Sequence, residues 1–159
     1  MRVLNVHFRV LNQSKEQIEQ LFSTLATKED KIWPFEKWPA IRFKTGLRVG
    51  AEGGHGPIRY KVINYYPKGM VEFVFQKPKG FNGTHKLEIV NGSDQSPALK
   101  HTIEMNTTGM GSLTWLLAVQ WLHDALIEDA FDKVENLSLT EKKRTEWNLW
   151  VKILRKVLN

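Results

Sequence analysis

The sequence predicts an α+β fold in which a curved antiparallel sheet wraps one long C-terminal helix. Three observations carry this reading. From Ile41 to Asn106 apolar residues mostly alternate, as strand faces do. From Ser112 to about Leu137 they follow a helical period, with no Gly or Pro to break it. The connections between the alternating runs are short and rich in turn residues, which favours antiparallel pairing, since parallel strands need long crossovers.

The elements follow in order. Residues 3–11 alternate, with Leu4, Val6, Phe8 and Val10 on one face and Asn5, His7 and Arg9 on the other, as in a half-buried strand. Ser14 starts a helix, with Gln17 in the capping-box position and Ile18, Leu21, Phe22 and Leu25 as its apolar stripe. A short second helical segment is expected over Glu29 to Lys37, interrupted by Pro34 and closed by Pro39. Strands then fall at about 41–50, 58–66, 70–77, 84–90 and 98–107. Their expected inward faces begin with Phe43, Thr45, Leu47 and Val49, then Ile58, Tyr60 and Val62, then Val71, Phe73 and Phe75. His85, Leu87 and Ile89 follow, and last Leu99, His101, Ile103 and Met105.

Ser112 is placed to cap the long helix. At 100° per residue Leu116, Val119, Ile127, Ala130 and Val134 share one face, with His123 near its centre and Gln120 at its edge. Asp124, Glu128, Asp132 and Glu135 lie opposite. Leu113, Leu117 and Trp121 make the first half apolar almost all round, which predicts a second covering layer. A final helix is expected from Thr140, with Trp147, Trp150, Val151, Leu154 and Leu158 on one side and Lys152, Arg155 and Lys156 on the other. The division is therefore a domain over 1–139 and a basic amphipathic extension over 140–159.

At 159 residues, with 42% hydrophobic and 25% charged residues, the chain can bury a core without staples. It has no cysteine, which excludes disulfides, thiolate metal sites and a cysteine nucleophile. No stretch approaches the roughly 18 apolar residues of a membrane span, and the N-terminus reads as a strand rather than a signal peptide. A cytoplasmic protein is the expectation. The net charge of +6 is unevenly spread. Acids dominate 112–139 and bases 140–159, so the tail is expected to cover the acidic and apolar back of the long helix, or to dimerise, or to lie on an anionic membrane. Lys77, Lys79 and Lys86 around Phe81 raise nucleic acid as a partner, but no recognition motif supports it.

The order of strand, two small helices, five strands and a long C-terminal helix resembles the helix-grip fold of the SRPBCC superfamily. That group includes START lipid-binding domains, pollen-allergen relatives and polyketide cyclase/dehydratase-like proteins. The resemblance covers about residues 1–137 and rests also on the turn Gly53-Gly54-His55-Gly56-Pro57 and on Thr108-Gly109-Met110-Gly111-Ser112 entering the helix. It implies a seven-stranded sheet and an apolar cavity under the helix. Six strands are legible, and the seventh is expected from a split of 41–50 or 58–66.

The candidate site follows from the faces. Phe43, Tyr60, Phe73 and Phe75 either line a pocket for a flat or greasy ligand or are plain core. His85, His101 and His123 all fall on faces expected to be buried. Pairing Ile89 with Leu99 puts Leu87 opposite His101, with His85 on its diagonal. Such a trio can be a hydrogen-bonded core, orient a ligand, act as acid/base or hold a metal. No HxxxH pair or carboxylate cluster supports the metal reading, and no serine sits in a nucleophile setting. The expected ligand contacts are Tyr60, Phe73, Phe75, His85, Leu87, His101, Met105, Gln120 and His123. Tyr60, His101 and His123 would give the polar contacts; Phe73, Phe75, Leu87 and Met105 would form the wall. No cofactor, metal or catalytic residue is nominated. The expected function is binding of a small hydrophobic or aromatic molecule, with a cyclase/dehydratase-like enzyme using a buried His as the alternative.

Overall fold

The computed structural model describes residues 1–92 and 94–158. It is a helix-grip α+β fold. Strands β1 (Arg2–Val10), β2 (Arg42–Phe43), β3 (Glu52–His55), β4 (Ile58–Tyr66), β5 (Met70–Lys77), β6 (Phe81–Asn91) and β7 (Pro97–Thr107) form one antiparallel sheet. Its order is β1-β7-β6-β5-β4-β3-β2. Helix α1 (Lys15–Phe22) carries the expected capping box, with Ser14 and Gln17 satisfying each other's backbone N–H. The β6–β7 register pairs Ile89 with Leu99 and Leu87 with His101, as the alternation predicts.

The long helix runs without interruption through Met110–Thr114, Trp115–Val119 and Gln120–Glu135. It starts at Gly109 rather than at Ser112, whose hydroxyl instead bonds the Thr107 hydroxyl at 2.9 Å. Trp115–Val119 is a π turn. This widened turn shifts the phase of the first half relative to 100° per residue. Trp115 is consequently buried and Leu116, expected inside, is exposed, whereas Ile127, Ala130 and Val134 face the core as expected.

Other expectations are corrected. Residues 29–37 form turns rather than a helix, organised by the Asp30 carboxylate, which accepts from the N–H groups of Ala26, Ile32 and Trp33. The strand over 41–50 shrinks to two residues, because Gly46 and Gly50 adopt left-handed φ values of 73° and 86°. Thr45 and Val49 are exposed rather than inward. The seventh strand comes instead from the glycine-rich segment, which is strand β3 and not a loop. A side chain at Gly54 would put its Cβ 2.0 Å from the Ile58 carbonyl oxygen, so the tight β3–β4 hairpin requires glycine there.

Strand β1 alternates as read, but with its faces reversed. Leu4, Val6, Phe8 and Val10 are exposed, and the polar set Asn5, His7 and Arg9 faces the long helix. The helix's acids decide this. Arg9 bonds Glu128, Asp132 and Glu135, and the last two are buried. A buried carboxylate needs a cation, and hydrophobic side chains there would strip Arg9 from Glu128, Asp132 and Glu135 and His7 from Asp124 and Glu128.

The tail packs on its own chain. Residues 140–148 form no regular secondary structure rather than a helix, because this segment hydrogen-bonds the acids of the long helix. Thr145 N–H and hydroxyl donate to Asp132, and Lys143 Nζ to Glu135. The terminal helix spans Leu149–Leu158 and buries Val151. Asp129 collects Lys37, Trp38 Nε1 at 2.8 Å and Trp147 Nε1 at 2.9 Å, and Arg155 lies over the Trp38 ring.

Candidate functional site

The inward residues of β4 to β7 and of the long helix meet in one aromatic and imidazole row. Tyr60 packs against Phe73 at 4.8 Å and His85 at 4.7 Å between ring centres. Phe73 and Phe75 both stack on the His85 ring, at 4.7 and 4.8 Å. His85 leads to His101 at 5.7 Å, and His101 to His123 on the long helix at 4.8 Å. Two histidines that are not among the expected contacts complete the row. His7 on β1 is 5.8 Å from His123, and His55 on β3 is 6.0 Å from Tyr60. All five histidines of the chain therefore line one path through the fold.

Tyr60, Phe73, His85, Leu87, His101 and Met105 are buried, and Phe75, Gln120 and His123 are half-buried. Met105 belongs to a second packing cluster with Val3, Phe81, Ile103 and Trp115, which Phe75 also joins. Gln120 is the first residue after the π turn. Among the described residues, Tyr60 Oη, His85 Nε2, His101 Nδ1 and both ring nitrogens of His123 are buried without a hydrogen-bond partner. A buried polar atom left unpaired costs about 1–3 kcal/mol, so this concentration in one row is unusual for a plain core.

Electrostatics keep the interior neutral. Burial pushes His85 and His101 well below the usual imidazole range and lowers His123, against the opposing pull of Asp124. His55 retains some solvent access, yet burial of its ring carries it down to about 3. Burial raises the Tyr60 phenol well above its ordinary value. At neutral pH the row thus offers neutral imidazoles and a phenol, able to donate or accept a hydrogen bond. His7 behaves oppositely. Burial works against its charge, but bonds to Asp124 and Glu128 outweigh that and raise its pKa.

An open groove of about 1060 Å³ borders the far end of the row. Arg42, Phe43, Gly53, Gly54, His55 and Arg59 are among its walls. Phe43 touches both the groove and the interior, lying 5.9 Å from Tyr60 and stacked 5.8 Å from Phe73. The basic cluster near Phe81 loses its aromatic, because that ring is buried against Phe75 and Trp115.

Comparison with solved structures places the fold. Truncated norcoclaurine synthase from Thalictrum flavum superposes with a TM-score of 0.63 at 13% identity, over 89% of this chain and 96% of that one. The Aha1 dimer from Colwellia psychrerythraea gives 0.55 at 16% identity, over 84% and 96%. A conserved protein of unknown function from Enterococcus faecalis gives 0.60 at 8% identity, over 99% and 85%. The chain shares their helix-grip fold, and at these identities the likeness speaks for fold alone. No family model matches the sequence, and no curated protein does. Among the described residues, no helix is long and apolar enough to cross a membrane.

Proposed function

We propose that this protein binds a small hydrophobic or aromatic molecule between sheet and long helix, with Tyr60, His101 and His123 as its polar contacts. The observation that carries this is the set of unpartnered polar atoms on a row walled by Phe73, Phe75, Leu87 and Met105. A flat, mostly apolar ligand with one or two hydrogen-bonding groups matches that lining, and burial would contribute about 25 cal/mol per Å² of apolar surface. His85 and Gln120 belong to the same lining. The groove beside Phe43 supplies the route in, and the π turn above His123 supports the reading, since such turns are frequent at functional sites.

Native mass spectrometry of the chain purified without denaturation tests this. The expected result is a small-molecule adduct released on unfolding; a bare protein mass, with no apolar compound in the solvent extract, counts against it. An acid/base enzyme is the second reading, favoured by the imidazole row reaching from Tyr60 to the carboxylates at His7. Consumption of the extracted compound, lost in His101→Ala or His123→Ala, would move the answer from carrier to enzyme.

The reading extends to a surface contact. Leu149, Ile153 and Val157 of the terminal helix are exposed beside Lys152 and Lys156, and Leu113 and Leu117 are exposed on the long helix. Trp150 Nε1 joins the two helices through the Leu117 carbonyl at 2.9 Å. Apolar side chains interleaved with lysines suit an anionic bilayer surface, whereas a second copy would bring like charges together.

A further inference from the structure

At the β1 end of the row three groups converge, two of which, His7 and Asp124, the ligand reading does not use. His7 comes from β1, and His123 and Asp124 are successive residues of the long helix. Their donor atoms all lie within 4.8 Å of one another. His7 Nε2 is 3.1 Å from Asp124 Oδ1, and His123 Nδ1 is 3.6 Å from the same oxygen. Donor atoms on a tetrahedral zinc ion, with bonds of about 2.0–2.1 Å, stand roughly 3.3 Å apart. Two of the three separations already bracket that value.

We propose that His7 Nε2, His123 Nδ1 and a carboxylate oxygen of Asp124 bind a divalent first-row transition cation of the zinc class. The surrounding groups are those such a site needs. His7 Nδ1 stands 2.8 Å from Glu128 Oε1, so Nδ1–H can donate to that carboxylate and leave Nε2 as the free ligand. This is the carboxylate–histidine–metal arrangement that fixes tautomer and ring orientation. Arg9 in turn holds the other Glu128 oxygen. Asn5 Nδ2 donates to Asp124 Oδ1 at 2.9 Å and orients that carboxylate.

The geometry also states the problem a cation solves. With Nδ1–H given to Glu128, Nε2 of a neutral His7 would face the Asp124 oxygen lone pair to lone pair at 3.1 Å. Either a proton or a metal must lie between them. His123 favours the metal: its buried Nδ1 has no hydrogen-bond partner, and a cation would give it one where a proton shared by His7 and Asp124 would not. Two imidazoles and one carboxylate form a borderline donor set suited to zinc, cobalt, nickel or iron(II), with a coordination position left over for water or a ligand group.

The test uses the full-length chain without a polyhistidine tag, stripped with chelator. It is titrated with zinc by calorimetry and with cobalt(II) by visible absorption. One ion per chain and cobalt d–d bands are expected. Asp124→Asn and His7→Gln should each cost at least about tenfold in affinity, and Glu128→Gln roughly 10–100-fold. Glu104→Gln, an exposed carboxylate paired with Arg2, should change nothing. No saturable binding by the wild-type chain, or unchanged binding in Asp124→Asn and His7→Gln, overturns the proposal. If a variant loses its fold by circular dichroism, ring ¹⁵N shifts of the wild-type histidines decide. Zinc moving His7 and His123 supports the site, and zinc moving only the other three overturns it. A failure here leaves the small-molecule reading standing, because the solvent extract registers an organic compound and not an ion.

Discussion

Replacing His101 by Leu should stabilise the ligand-free protein. His101 is 5% exposed, its Nδ1 has no partner, and its ring packs between His85 and His123. Leucine fills a similar volume with no polar atom, so it removes a penalty of about 1–3 kcal/mol, less a strain cost under about 1.5 kcal/mol. The net expectation is a gain of about 1 kcal/mol at pH 8, where folded and unfolded imidazoles are both neutral. Acid sharpens the contrast. The folded His101 pKa is depressed, so below about 6.5 the unfolded chain binds a proton that the folded chain refuses. Wild type thereby loses about 1.4 kcal/mol at this one position by pH 5.5, and the variant does not. The assay is urea unfolding of solvent-stripped protein at the two pH values. A variant destabilised by more than about 1 kcal/mol at pH 8 would refute the reasoning, since it would mean that the imidazole is already satisfied without a ligand.

Other outcomes follow from the same contacts. Acidification from pH 7 to 5.5 should cost wild type about 4 kcal/mol from His55, His85 and His101 together, partly offset by His7, whose raised pKa gains stability in the same window; unfolding at stepped pH measures it. Arg9→Met strips the cation from Asp132, 6% exposed in its side chain, and leaves Glu135 with Lys143 alone, and should cost about 3 kcal/mol by denaturant titration. Trp147→Ala removes a half-buried ring and its bond to Asp129, with an expected loss of about 2–3 kcal/mol and of the tail's protection in hydrogen exchange. Ile153→Ser with Val157→Ser should abolish co-sedimentation with anionic vesicles, while the wild-type chain ignores zwitterionic ones; a stable dimer by ultracentrifugation would assign that ridge to a second copy instead.

Much of the fold was legible because alternation and turn chemistry agree from Ile58 to Thr107. That agreement yields the β4–β7 meander and the opposition of Leu87 and His101. What failed has physical causes. The π turn has no local signature in Trp115–Val119, yet it moves Trp115 inward and Leu116 outward. Strand β1 offers an apolar and a polar face, and only the acids on the far-off helix determine that the polar one turns inward. For the same reason nothing local to β1 marks His7 as a site residue. The usable signal was its spacing with Asn5 and Arg9, which matches the i, i+4, i+8 acids Asp124, Glu128 and Asp132. The apolar stripe of the tail begins only at Trp147, so nothing in 140–146 demanded a helix, and bonds to Asp132 and Glu135 hold that segment out of one.

The central claim is that the imidazole and aromatic row receives a small molecule. The most direct measurement is a histidine- and aromatic-labelled NMR titration with 1-naphthol, a flat apolar probe carrying one hydroxyl. The account predicts saturable shifts at His101, His123, Tyr60 and Phe73, inside the fold. Shifts confined to Trp121 and Trp150 on the exposed ridge, with the interior rings unmoved at saturation, would contradict it.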